Sequence, residues 1–134
     1  MDTVVHVRLL LSFNHFLVIY SRVTDVTIPR DGQLHHVSVT WENSLGNYQV
    51  YLDGRLAESG TGFMKGYVIP PGGTAVIGED QDTMGGGFQM WDAFGPGVIS
   101  ALNMFDTVVP EGEISKQSES CQIPRGSVLG IYQF

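Results

Sequence analysis

Three things are scarce in this sequence. Cys121 is the one cysteine in 134 residues, so no disulfide can close within the chain. In a cytosolic protein it would serve as a small apolar residue; in a secreted one it implies a disulfide bond to a partner outside this chain. Basic residues are the second scarcity: from Gly66 to Ser115 there is no Lys, Arg or His, yet that window holds Glu79, Asp80, Asp82, Asp92, Asp106, Glu111 and Glu113. Fourteen acids against seven bases give a net charge of −7. With a pI near 4.8, this excludes nucleic acid and anionic membranes as partners. The third scarcity is long apolar runs. Leu9 to Leu11, Phe13 and Phe16 to Tyr20 are broken by Asn14 and His15, and Asp2 is wrong for the start of a signal peptide.

Glycine is abundant instead. Twelve of the 17 glycines fall between Gly54 and Gly97, and no window there could hold a long helix against them. With 43% hydrophobic and 16% charged residues, the chain can bury a core of one domain, spanning 1–134. An all-helical protein is excluded.

Strand signals recur every 8–12 residues between Gly, Asn, Asp and Pro. His35 to Trp41 alternates, with Val37, Val39 and Trp41 on one face and Ser38 and Thr40 on the other. Tyr48 to Leu52 repeats the pattern with Tyr48, Val50 and Leu52 inward, after a turn over Asn43 to Asn47. Asp53-Gly54 reads as a tight hairpin, because a type I′ turn needs positive φ at both central residues. Phe16 to Tyr20, Ala75 to Ile77 and Val98 to Phe105 are further strands, and Val128 to Phe134 is a last apolar run. Pro110 followed by Glu111 to Ser118 is the one short helix, with acids at its favourable end. The pattern predicts an all-β sandwich of two sheets or a jelly roll.

The chemistry lies in Glu79 to Asp92. In an extended segment, Asp80 and Asp82 point the same way with Cα atoms about 6.6 Å apart. Gly85-Gly86-Gly87 allows a bend able to bring Gln89 and Asp92 back beside them. Oxygen ligands without nitrogen or sulfur donors suit a hard cation, and several carboxylates with amide oxygens suit calcium. The competing reading is a solvated acidic turn that the glycines merely bend. An EF-hand does not fit, since its fifth and twelfth positions would fall on Met84 and Trp91. A paired-carboxylate glycosidase lacks its second acid across a cleft, and no enzyme is expected.

At this cluster the sequence resembles the pentraxin family. Its signature His-x-Cys-x-x-Trp has a parallel in His36 to Trp41. The hairpin at Asp53-Gly54, Lys65-Gly66-Tyr67, Gly78 through Phe88, and Asn103-Met104-Phe105-Asp106 leading to Ile114 carry the match onward, from about Leu34 to Ile114. The resemblance implies a flattened antiparallel jelly roll of the concanavalin and laminin-G kind, with calcium bridging protein and ligand. Carried over residue by residue, it makes Asp80 an acid shared by two calcium ions. Asp82 is the motif's Asp, and Gln81 a main-chain carbonyl donor between them. Gln89 stands for a family Glu and Asp92 for a family Gln, so the formal charge is kept. Ser38 stands where the family's disulfide cysteine would be. The family also has strands ahead of the matched region and an early Asp-Asn pair on the first calcium; Asp2-Thr3 stands in for that pair. A truncated domain, with weakened calcium binding and exposed sheet edges, is the corresponding expectation.

Other residues read more plainly. His35-His36 lack a spacing partner for zinc and point to a structural role. Trp41 belongs to the core, while Trp91 could lie beside a ligand or cover the mouth of the jelly roll. Cys121 has no nucleophile context. The leading expectation is an extracellular, lectin-like module. It would bind a phosphate-, carboxylate- or carbohydrate-bearing ligand through calcium, either secreted, with a homo-oligomer as a candidate assembly, or within the ectodomain of a membrane protein. The alternative is a metal-free laminin-G-like adhesion module, or the pentraxin domain of a larger adhesion receptor.

Overall fold

The computed structural model describes residues 3–10, 16–19, 22–29, 31–69, 83, 85–88, 98–120 and 129–131. In chain order these form β1 (Thr3–Leu10), β2 (Phe16–Ile19), β3 (Arg22–Thr27), β4 (His35–Trp41), β5 (Tyr48–Leu52), β6 (Arg55–Gly60), β7 (Val98–Phe105), α1 (Glu111–Glu119) and β8 (Leu129–Ile131). Among the described residues, one antiparallel sheet runs β6-β5-β4-β1-β7-β8, and β2-β3 form a separate pair. The predicted strand at Ala75 to Ile77 lies outside the described residues. Of the last apolar run, Leu129 to Ile131 is strand.

The β4–β5 hairpin follows its alternation. Trp41 pairs with Tyr48, Val39 with Val50 and Val37 with Leu52, which puts all six on one face. Val26 of β3 joins Tyr48 and Val50 in a buried cluster there, with Val39, Trp41, Leu52 and Phe63 packed on its margin. One expectation needs correcting. Val37, Tyr48 and Val50 are buried, but Val39, Trp41 and Leu52 are only half-buried, while the supposed outer residues Ser38 and Thr40 are almost fully covered. The reason is a second core. Tyr51, on the opposite face, packs with Val109, Ile114 and Phe105, so β4 and β5 are covered from both sides.

Asp53 has φ 51° and Gly54 φ 77°, the two positive values that the hairpin signal required. At Gly54 a side chain has no room, because an added Cβ would press on Ser118 and come within 3.1 Å of the Ser115 Cα. Helix α1 therefore sits directly on the turn. The helix is nine residues long, too short to persist by itself, and it is anchored by its buried residues Ile114 and Gln117. Glu113 and Ile114 donate their N–H groups to the Pro110 carbonyl at its start.

A bulge interrupts the pairing of β1 with β7, between His6 and Arg8. The extra residue on β7 includes Ala101 at φ 56°, a left-handed conformation that costs an L-residue about 1–2 kcal/mol. Asn103, fully buried, donates from Nδ2 to the Ala101 carbonyl at 3.0 Å and holds the bulge in shape. Glycine removes the strain but adds about 0.5–1 kcal/mol of unfolded-state freedom. Ala101→Gly should therefore leave stability unchanged or raise it by up to about 1.5 kcal/mol, as read by urea unfolding. A loss of stability would show that the alanine methyl is held by packing rather than tolerated.

Candidate functional site

Around the acid-and-glycine segment the structure describes Thr83 and Gly85 to Phe88. Thr83 and Gly86 exchange both backbone hydrogen bonds, Thr83 N–H to the Gly86 carbonyl at 3.2 Å and the reverse at 3.0 Å. The chain thus reverses between Thr83 and Gly86. Gly85 at φ 67° and Gly87 at φ 78° take backbone conformations that other residues resist. Phe88 follows, about half exposed. The bend expected from the glycine triplet is present. The residues expected to hold a cation, Asp80, Gln81, Asp82, Gln89, Asp92 and Asp2, lie outside the described residues, as do Trp91 and Cys121. Among the described residues no group of three His, Cys, Asp or Glu is placed to hold a metal ion.

Two polar networks on the described side were hidden in the sequence. His35 is buried, and its Nδ1 lies 2.8 Å from Asp53 Oδ2 while its Nε2 lies 3.0 Å from Asp31 Oδ1. The other Asp53 oxygen accepts the His36 N–H at 2.9 Å, and the Asp53 N–H donates to the His36 carbonyl at 2.8 Å. The hairpin tip is therefore fastened to the start of β4. Burial alone would lower the His35 pKa, but the Asp53 and Asp31 carboxylates outweigh it and raise the value above the ordinary one. The Gln33 N–H, and then His35, hold Asp31 below the usual carboxylate range.

The second network closes the turn between β4 and β5. The Glu42 carboxylate accepts from the Ser44 hydroxyl and from the backbone N–H groups of Ser44, Leu45 and Asn47, the last three at 2.9–3.2 Å. These donors, the Ser44 hydroxyl foremost, lower its pKa to about 2. Because the folded value is depressed below 4.5, its contribution is complete above that pH and is lost as pH falls toward 2. Glu42→Gln should lower the melting temperature near neutrality and flatten its decline over that acid window. An unchanged acid limb would remove Glu42 as its source. Elsewhere, Glu58 joins the two sheets by accepting the Asp25 N–H at 2.8 Å and the Tyr48 hydroxyl at 2.9 Å.

An antiparallel β architecture with a tight glycine turn inside an acidic, base-free segment fits the class of jelly-roll domains. The particular family follows from comparison. The Pentaxin family model matches residues 12–130, and the chain belongs to this family, the pentraxins. It is 40% identical over 101 residues to Pentraxin-4 of Homo sapiens, covering 75% of this chain and 21% of that protein. Over 115 residues it is 38% identical to the Sushi, von Willebrand factor type A, EGF and pentraxin domain-containing protein 1 of Rattus norvegicus, covering 84% of this chain and 3% of the relative. The human Adhesion G protein-coupled receptor D2 is 31% identical over 74% of this chain and 10% of its own length. The chain thus spans a small part of the curated relatives it matches. The crystal structure of native heptameric SAP-like pentraxin from Limulus polyphemus superposes with a TM-score of 0.80. That alignment covers 97% of this chain and 76% of that one at 23% identity, a likeness of fold that supports the jelly roll. Relatives of this kind are secreted pentraxins or ectodomains of membrane proteins, and the chain's location is accordingly extracellular. Among the described residues no helix is long and apolar enough to cross a membrane.

Proposed function

We propose that this chain is a calcium-dependent recognition domain rather than an enzyme, binding a phosphate-, carboxylate- or carbohydrate-bearing ligand. The observation that supports this most is the hydrogen-bonded reversal at Thr83–Gly86 within an all-oxygen donor segment. Asp80, Gln81 and Asp82 precede the turn, and Gln89 and Asp92 follow it. Asp80 and Gln89 are each three residues from its paired ends. Carboxylate and amide oxygens, which the sequence supplies on both sides of the turn, are the donors that suit calcium over softer metals. Bound calcium would supply positive charge with open coordination positions for an anionic or hydroxyl-rich ligand. Asp2 is the weakest member of the set.

A calcium titration of the full chain, followed by calorimetry and by thermal melting, tests the reading. Saturable binding that Asp80→Asn and Asp82→Asn weaken, and Glu119→Gln does not, supports it. No binding at millimolar calcium leaves the alternative, a pentraxin domain serving adhesion without a metal. The match to the Adhesion G protein-coupled receptor D2 favours that second reading. Self-association is part of the proposal too, since the Limulus pentraxin of the same fold is heptameric. Cys121, the one cysteine of the sequence, is proposed to pair outside this chain.

A further inference from the structure

We propose that His35 is the protonated pin of a pH-sensitive clasp, which fastens both the loop at Asp31 and the β5–β6 turn to the start of β4 and lets go of one of the two when the imidazole gives up a proton. The argument begins with donors and acceptors. A neutral imidazole has one N–H and one lone pair, whereas the charged ring has two N–H groups. Here both ring nitrogens face carboxylate oxygens, at 2.8 Å and 3.0 Å. A neutral ring could satisfy only one of them and would turn its lone pair against the other oxygen. The doubly protonated ring satisfies both. The His35 side chain is 9% exposed while those of Asp31 and Asp53 are about half exposed, so the buried partner is the cation and its two anions reach solvent. A cation buried to that degree persists only when paired.

Asp53 and Asp31 are the charged groups acting on the ring. From the other elements around it, β1 places Leu9 opposite in the register, and β5 ends at Leu52 ahead of the turn. Helix α1 presents Ser115 and Ser118 to the turn at Gly54. His36 lies on the other face of β4, where its Nε2 is 3.4 Å from Ser38 Oγ. Losing the His35 proton would thus leave the ring one N–H and strip either Asp53 or Asp31 of its bond, turning a lone pair against that carboxylate. Where Asp53 is the one released, the hairpin tip loosens together with the seat of α1, which leans on the adjacent glycine.

The sign follows from the raised pKa. The stabilisation is complete below 6.5, the unfolded value, and fades as pH rises through the higher folded value. Each unit of elevation is worth about a factor of ten in the folding equilibrium. Two measurements on the full chain decide the matter. Nitrogen NMR of the histidine rings should show protons on both His35 nitrogens at about pH 6, with a midpoint above that of free histidine that falls in Asp31→Asn. Urea unfolding should show a stability difference between about pH 6 and pH 8.5 that His35→Gln removes. A single N–H on His35 at the lower pH, or an undiminished pH dependence in His35→Gln, would overturn the clasp. Should the glutamine variant not fold, the ring spectra of the unsubstituted protein decide alone. Neither readout involves calcium, so this inference and the metal reading can fail separately.

Discussion

Ile114→Ala is expected to destabilise the domain by about 2–5 kcal/mol, the range for truncating a large buried aliphatic side chain. Ile114 is fully buried, and it brings α1 onto Tyr51 and Val109 beside the half-buried Phe105. A nine-residue helix has too few turns to hold itself, so its attachment comes mainly from this side chain. The cavity would open against Tyr51, whose strand neighbours Ser38 and Gln49 are polar and cannot collapse into it. Loss of the helix seat should also speed amide exchange at the Gly54 turn. Urea unfolding measures the first effect and hydrogen exchange the second. Lys116→Ala provides the contrast: Lys116 is exposed and 3.8 Å from Glu113, a surface pair whose removal should cost less than about 1 kcal/mol. A loss below that figure for Ile114→Ala would mean that the helix is held some other way.

Calcium should have the second large effect. Without a cation, Asp80 and Asp82 repel by roughly 2.5 kcal/mol if extended, at an effective dielectric near 20. Ordering Gly85-Gly86-Gly87 opposes the closed loop further. A cation bound only by the folded chain removes the repulsion and stabilises the fold by about 2.7 kcal/mol at one hundred times its dissociation constant. The melting temperature should rise with calcium, and proteolysis across residues 79–92 should slow. Removing groups that merely orient metal ligands weakens affinity by about 10–100-fold, so Asp80→Asn and Asp82→Asn should cost at least as much. Unchanged melting and proteolysis in millimolar calcium would transfer the function to metal-free adhesion.

The strands that alternate cleanly were legible. Tyr48 to Leu52 and His35 to Trp41 carry period-two patterns, and Asp53-Gly54 names its turn type by the backbone angles it permits. Strand β3 was not legible, because Val23 and Val26 are three residues apart in Arg22 to Thr27, an odd spacing that gives no period-two stripe. Burial of Ser38 and Thr40 was hidden for a related reason. Polar residues read as outward until α1 is known to cover the second face. Glutamate at position 42 looks like any solvated charge, and its acceptor role appears only when the following turn wraps four donors around it. At the candidate site the sequence offers donor types and no geometry. Oxygen donors suit a hard cation by type, whereas their convergence depends on backbone angles that glycine leaves open.

The place of β1 in the sheet carries a consequence for the order of assembly. Strands β4, β5 and β6 close through short turns, Trp41 finding Tyr48 and Leu52 finding Arg55. Strand β1 sits between β4 and β7 and must pair Val5 with Val39 on one side and Val4 with Phe105 on the other. Closing such distant contacts is slow, since the entropy of the long loop is lost before the pairing returns anything. The meander β4–β6 should therefore gain amide protection early in refolding and β1 late, an order that pulse labelling can read. Until β1 arrives, the inner edge of β4 stands open, and a second molecule's strand could occupy it. The step most exposed to misassembly is thus the seating of a strand at the centre of the sheet, not at its rim.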